Sequence, residues 1–119
     1  MADHLPLFKP GQAVSFAATT AITGGRAVEV TGNRQVGTAG AASTKAIGTA
    51  GHDAAIGDQV VVHLAGPVDT VVAAAAIAAG VNVEAAAAGK AQTATTGRVL
   101  GLSLNAATAA DQLVQIVRA

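Results

Sequence analysis

TVVAAAAIAAGVNVEAAAAG, residues 70–89, can be read as a broken helix, as a membrane segment, or as strand, turn and strand. The choice decides the fold. The uninterrupted apolar run, residues 71–79, is nine residues long, less than half of the ~20 needed to cross a bilayer as a helix. Asn82 and Glu84 break any longer version. A helix has local support. Asp69 or Thr70 is a fitting N-cap, alanine is the best helix former, and Gly80 stands where a left-handed C-cap belongs. A helix of that length is nonetheless marginal unless it packs strongly.

A comparison of the chain with itself favours strands. AITGGRAVE at 21–29 and AIAAGVNVE at 76–84 share Ala, Ile, Gly, Val and Glu at a shift of 55. KAIGTAGHDAAIGDQVVVHL from Lys45 matches RVLGLSLNAATAADQLVQIV from Arg98 at a shift of 53. This brings Ile47 to Leu100, Gly48 to Gly101, and DQVV at 58–61 to DQLV at 111–114. The residues of the first half equivalent to the alanine run, FAATTAITGG at 16–25, contain three threonines and a glycine pair, a poor helix sequence. The expected organisation is a single domain over 13–119 with pseudo-repeats at about 13–66 and 67–119 about a pseudo-two-fold axis.

The fold class expected is all-β, a small sandwich or barrel-like domain, with at most one short helix near 74–79. Val, Ile and Thr total 32 residues against 7 Leu, a balance that suits pleated strands. Strand candidates are 13–17, 26–31, 59–64, 68–73, 81–84, 98–104 and 113–118, separated by Gly-rich punctuation. The last, LVQIVR, alternates imperfectly and reads as a strand covered on most of both faces. GTAGAASTKAIGTAG at 37–51 reads as a flexible loop, and Gly89-Lys90 as a turn.

Of the apolar residues 31 are Ala, with no Trp or Tyr and only Phe8 and Phe16 as aromatics. Burial stabilises in proportion to area, about 25 cal/mol per Å², so the core is thin, and association with another chain would supplement it. Seven basic residues balance seven acidic ones, and charged residues are 12% of the chain, about half the usual share of roughly 25%. No basic footprint for nucleic acid or anionic lipid is present. The chain has no cysteine, which excludes disulfides and thiolate metal sites. Its start, MADHLPLFKPGQ, lacks the apolar core of a secretory signal, so synthesis in the cytoplasm is expected.

Catalytic templates fail on particular residues. GLSLN has Asn105 where a nucleophile elbow needs its second glycine, and EAAAAGKA has Glu84 and Ala91 at the ends of what would be a phosphate loop. His4, His52 and His63 show no metal-ligand spacing. A hydrolytic site would have to assemble from Ser103, His52 or His63, and Asp58. Asp58 and Asp111 each precede a strand, where aspartate closes turns through its side chain. No catalytic, cofactor-binding or metal residue is assigned, no cofactor is expected, and the chain reads as non-enzymatic. A carbohydrate-binding or adhesion module on a phage or bacterial surface is the alternative, and it lacks the Trp and Tyr platforms on which sugar rings stack.

Three segments carry a family resemblance: AIAAGVNVEAAAAGKAQTA, GRVLGLSLNAAT and the closing QLVQIVRA. With these the chain resembles the small Ala/Gly/Val-rich capsid decoration, or cement, proteins of tailed phages, over most of residues 12–118. Val81 departs from the pattern, in which an Asp follows the glycine of the IAAG turn. The resemblance implies a structural virion protein on the exterior of an assembled capsid. It would bind the major capsid protein, self-associate as a homotrimer and reinforce the joints between capsomers, without nucleic acid or membrane partners. Residues 1–12 read as an extended arm, because Leu5, Leu7 and Phe8 stand among Pro6 and Pro10. Leu5, Pro6, Leu7, Phe8 and Pro10 are the expected capsid or subunit contacts.

Overall fold

The computed structural model describes residues 13–64 and 68–118. They form ten strands: β1 (Ala13–Ala18), β2 (Ala27–Gly32), β3 (Gln35–Thr38), β4 (Ala46–Ala50), β5 (Gln59–His63), β6 (Val68–Val72), β7 (Asn82–Ala85), β8 (Ala91–Thr93), β9 (Val99–Ser103) and β10 (Leu113–Arg118). The fold is all-β. Strands β1–β5 close into a barrel in the order β1-β3-β2-β4-β5, and β6–β10 form a sheet in the order β6-β10-β9-β7-β8. Among the described residues the one helical segment is a single 3₁₀ turn at Ala87–Gly89, with Ala88 in the left-handed region.

Residues 74–79 are not helical. The chain leaves β6, makes a two-way backbone bridge between Ile77 and Ala107 (N···O 2.9 Å each way), and turns at Gly80, whose φ of 77° favours glycine. The first half does the same, with Ile22 bridged to Ala54 and Gly25 at φ 81°.

The correspondence extends through the ladders. In β2–β4, Val28 faces Gly48 and Glu29 faces Ala46, so Ile47 is an extra residue in a bulge; in β7–β9, Val83 faces Gly101 and Glu84 faces Val99, and Leu100 is extra. A Cβ on Gly48 would strike the His63 carbonyl oxygen, and one on Gly101 the Val117 carbonyl oxygen. Both halves therefore need glycine at this close approach, which accounts for the shared Gly of KAIG and RVLG.

Two sequence expectations are corrected. Residues 37–51 are not a flexible loop, since they hold the end of β3 and the whole of β4. Their Gly and Ala hid the strand, but β4 pairs on both sides, with β2 and β5. Nor is β10 covered on both faces: its exposure alternates strictly, with Val114, Ile116 and Arg118 inward and Leu113, Gln115 and Val117 outward.

The alignment of DQVV with DQLV is also one residue out of structural register. Ala17 faces Gln59 where Val72 faces Leu113, so Gln59 corresponds to Leu113 and Gly57 to Asp111. Both Gly57 and Asp111 have positive φ, and each donates its N–H back to the end of the preceding half-unit strand, to Ala18 O and Ala73 O. Asp58 closes its turn as expected, accepting the Ala55 N–H. In the second half Gln112 does this, accepting the Thr108 N–H, while Asp111 pairs with Lys90 Nζ at 2.6 Å.

The halves part where the barrel closes. β1 lies parallel to β3 through Ala17–Gln35 and Ala18–Val36, but among the described residues the second half has at this place only the isolated parallel bridge of Ala73, just after β6, with Ala91 of β8. One core cluster lies inside the barrel around Val28, Val36, Val60 and Val62. The other joins Val71, Ile77, Val83, Leu100, Val114 and Ile116 with Ala27, Ala39 and Ala46 of the first half. Small side chains line this seam. The Ala42 N–H donates to Ala85 O, Arg98 N–H to Ser43 O and Gly89 N–H to Ala39 O, and a Cβ on Gly97 would lie 2.7 Å from the Ala42 backbone.

Candidate association surface

The outward positions of the second sheet form one surface. β6 contributes Val68, Thr70 and Val72, β10 contributes Leu113, Gln115 and Val117, β9 and the residue after it contribute Leu102 and Leu104, and β7 contributes Asn82. Register sets their neighbours. Val68 faces Val117, Val117 faces Leu102, and Leu102 faces Asn82, giving a row across four strands; Thr70–Gln115 and Val72–Leu113 follow behind it. Leu113 is 65% exposed, Val68 60%, Leu104 48% and Leu102 40%. None of the nine positions carries an ionisable side chain. On the matching positions of the first half stand Ala13 for Val68, His63 for Val117 and Thr49 for Leu102, so the large apolar side chains of this row belong to the second sheet.

Beside this surface lies the buried carboxylate of Glu84. It is fully buried and accepts four hydrogen bonds: Thr95 N–H (2.8 Å), Gly97 N–H (2.8 Å), Gln92 Nε2 (2.6 Å) and Thr95 Oγ1 (3.1 Å). The Thr95 backbone N–H is the largest of the influences that lower its pKa to about 2, against the opposing penalty of burial. Its counterpart Glu29 accepts the Gly40 N–H in the same way at 3.2 Å. Sequence comparison aligned the two glutamates, but nothing in it marked their role of holding the loop that follows β3 or β8.

Across the seam, Arg118 is buried and donates through Nη2 to Ile47 O at 3.1 Å, while its Nε and Nη1 have no hydrogen-bond partner among the described residues. Burial lowers its pKa, an effect offset in part by Asp69. Asp69 accepts from Thr49 Oγ1 on β4 and from the Thr70 N–H.

The residues considered for hydrolysis do not converge. Ser103 is buried on β9, donating to Ala78 O and accepting from the Val81 N–H. His52 Nε2 accepts the Val61 N–H and its Nδ1 donates to Asp53 O, so both ring nitrogens serve the backbone. Asp58 is occupied with its turn. Among the described residues no cluster of three His, Asp or Glu side chains is arranged to hold a metal ion, and no helix is long and apolar enough to cross a membrane. Leu5, Pro6, Leu7, Phe8 and Pro10 lie outside the described residues.

A family model described as phage cement protein matches residues 8–118. The chain belongs to the phage cement protein family. As a cement protein it is a structural component associated with the phage capsid. Among solved structures this cement protein is similar to the head fiber gp8.5 N base of bacteriophage phi29, with a TM-score of 0.71 and 21% sequence identity over 91% of this chain and 93% of that one. That likeness is one of fold. No curated protein matches the cement protein's sequence.

Proposed function

We propose that this cement protein binds the outer surface of an assembled phage capsid as a homotrimer and reinforces the joints between capsomers. The observation that carries the reading is family membership over nearly the whole chain. A cement acts by adding buried area across a joint, so each copy needs surface that is more stable covered than wet. The small residues of the chain let backbones approach closely across such a contact. The major capsid protein is the partner, and the site of action is the exterior of the virion after synthesis in the host cytoplasm.

The N-terminal arm is assigned a part in binding. Leu5, Leu7 and Phe8 offer apolar anchors, and Pro6 and Pro10 reduce the freedom lost when the segment is fixed on a partner. Mixing the purified protein with empty phage shells tests the reading: it should co-sediment in a saturable ratio and raise the temperature at which the shells dissociate. Failure to bind shells of the phage that encodes it sinks the proposal. Deleting residues 2–10 should leave a folded domain with weaker shell occupancy, and unchanged occupancy would remove the arm from the account.

A further inference from the structure

We infer that copies of this chain meet one another through the outer face of the second sheet, the surface of Val68, Leu102, Leu104, Leu113 and Val117. The inference rests on the self-association proposed above and names the surface that performs it. Three observations converge on a second copy as the occupant.

The first is charge. In a symmetric assembly a patch near the axis meets its own copies, so any ionisable side chain there meets the same charge. The nine outward positions contain none, although the chain as a whole has fourteen Lys, Arg, Asp and Glu residues. The second is the polar row. Thr70 and Gln115 face each other across β6 and β10 in the middle of the patch. A primary amide both donates and accepts, so Gln115 can hydrogen-bond to its own copy, and burying it by self-association leaves no group orphaned.

The third is size. Four strands about 4.8 Å apart and roughly five residues long present about 300 Å² in projection, and side-chain relief brings the accessible area to roughly twice that, approaching the ~800 Å² per partner of a standard interface. Three copies can cover such faces by turning them toward a common axis.

The test uses the full chain. Light scattering with gel filtration should give the wild type a mass about three times that of one chain. L113E combined with V117E should sediment as a monomer with an unchanged far-ultraviolet spectrum. Q59E, at the position of the first half that corresponds to Leu113, should leave the assembly intact. Should the double variant fail to fold, Q115C supplies a second readout: the chain has no cysteine of its own, and oxidation should link copies through this position. A monomeric wild type at roughly 100 µM, or a folded double variant that keeps the wild-type mass, overturns the inference. Loss of shell binding with an unchanged mass would assign the face to the capsid and likewise overturn it. A wild type that assembles through this face yet ignores shells would leave the inference standing and sink the capsid proposal.

Discussion

Glu84 has both carboxylate oxygens committed to Gln92, Thr95 and Gly97, so protonating it removes acceptors that the loop cannot replace. Its pKa of about 2 lies below the ordinary value of 4.5. Between these values the unfolded chain binds more protons than the folded one, and stability therefore rises with pH. The contribution is fully present above about pH 4.5 and is lost as pH falls toward 2. Urea denaturation at a series of pH values should show that decline in the wild type, and a flatter curve over the same window in E84A. At neutral pH E84A should lose about 2–4 kcal/mol, because buried donors are left without acceptors. Arg118 is held less fully. Among the described residues two of its buried nitrogens have no partner, so R118M should cost less than E84A in the same assay, about 1 kcal/mol for the lost bond to Ile47 O. Asp111 is exposed and held down in pKa by its hydrogen bond to Lys90. Asparagine also tolerates the left-handed backbone that Asp111 adopts, so D111N should melt within a degree or two of the wild type.

At the scale of the strand, the glycines of the two bulges are the sharpest constraint. G101A places a methyl against the Val117 carbonyl and G48A against that of His63; each should cost about 1–3 kcal/mol by denaturant titration. Sequence comparison brought these glycines together, and the strands rich in Val were legible for the same reason, β-branched residues between turns. β3, β4 and β8 were not legible. QVGT, AIGTA and AQT are only three to five residues long and lie among Gly-, Ala- and Thr-rich stretches that read as loop, while pairing on both sides holds β3 and β4 in place. The alanine run was readable only through its partner: local propensity pointed to a helix, and the threonines and glycines of the first half pointed away from it. The one-residue slip at Asp111 arose because DQ recurs as letters while a longer turn moves its position. The apolar sheet face is not legible in the sequence because LVQIVR reads as a strand covered on most of both faces, and only the register with β6 and β9 shows which residues stand together.

For the molecule as a whole, the seam makes the halves interdependent. Ala27, Ala39 and Ala46 belong to the same buried cluster as Val71, Leu100 and Ile116, so either half alone would expose part of a shared core. Residues 13–66 and 67–119 expressed separately should fail to give a cooperative melting transition, whereas the intact chain should melt once by calorimetry. Two resolved transitions in the intact chain would contradict this. As a cement protein the chain has little area in any one side chain, and its stability is spread over many small contacts along the seam and within two thin cores.

The lone Ala73–Ala91 bridge, where the first half has a continuous parallel pair, makes β8 the place where the protein should breathe. Amide protons protected only by that closure, Ala74 N–H bonded to Ala91 O among them, should exchange with solvent deuterium well before those of Val60 and Val62 in the closed barrel. The ratio of the two rates would measure the free energy of opening one edge while the rest of the fold stays intact.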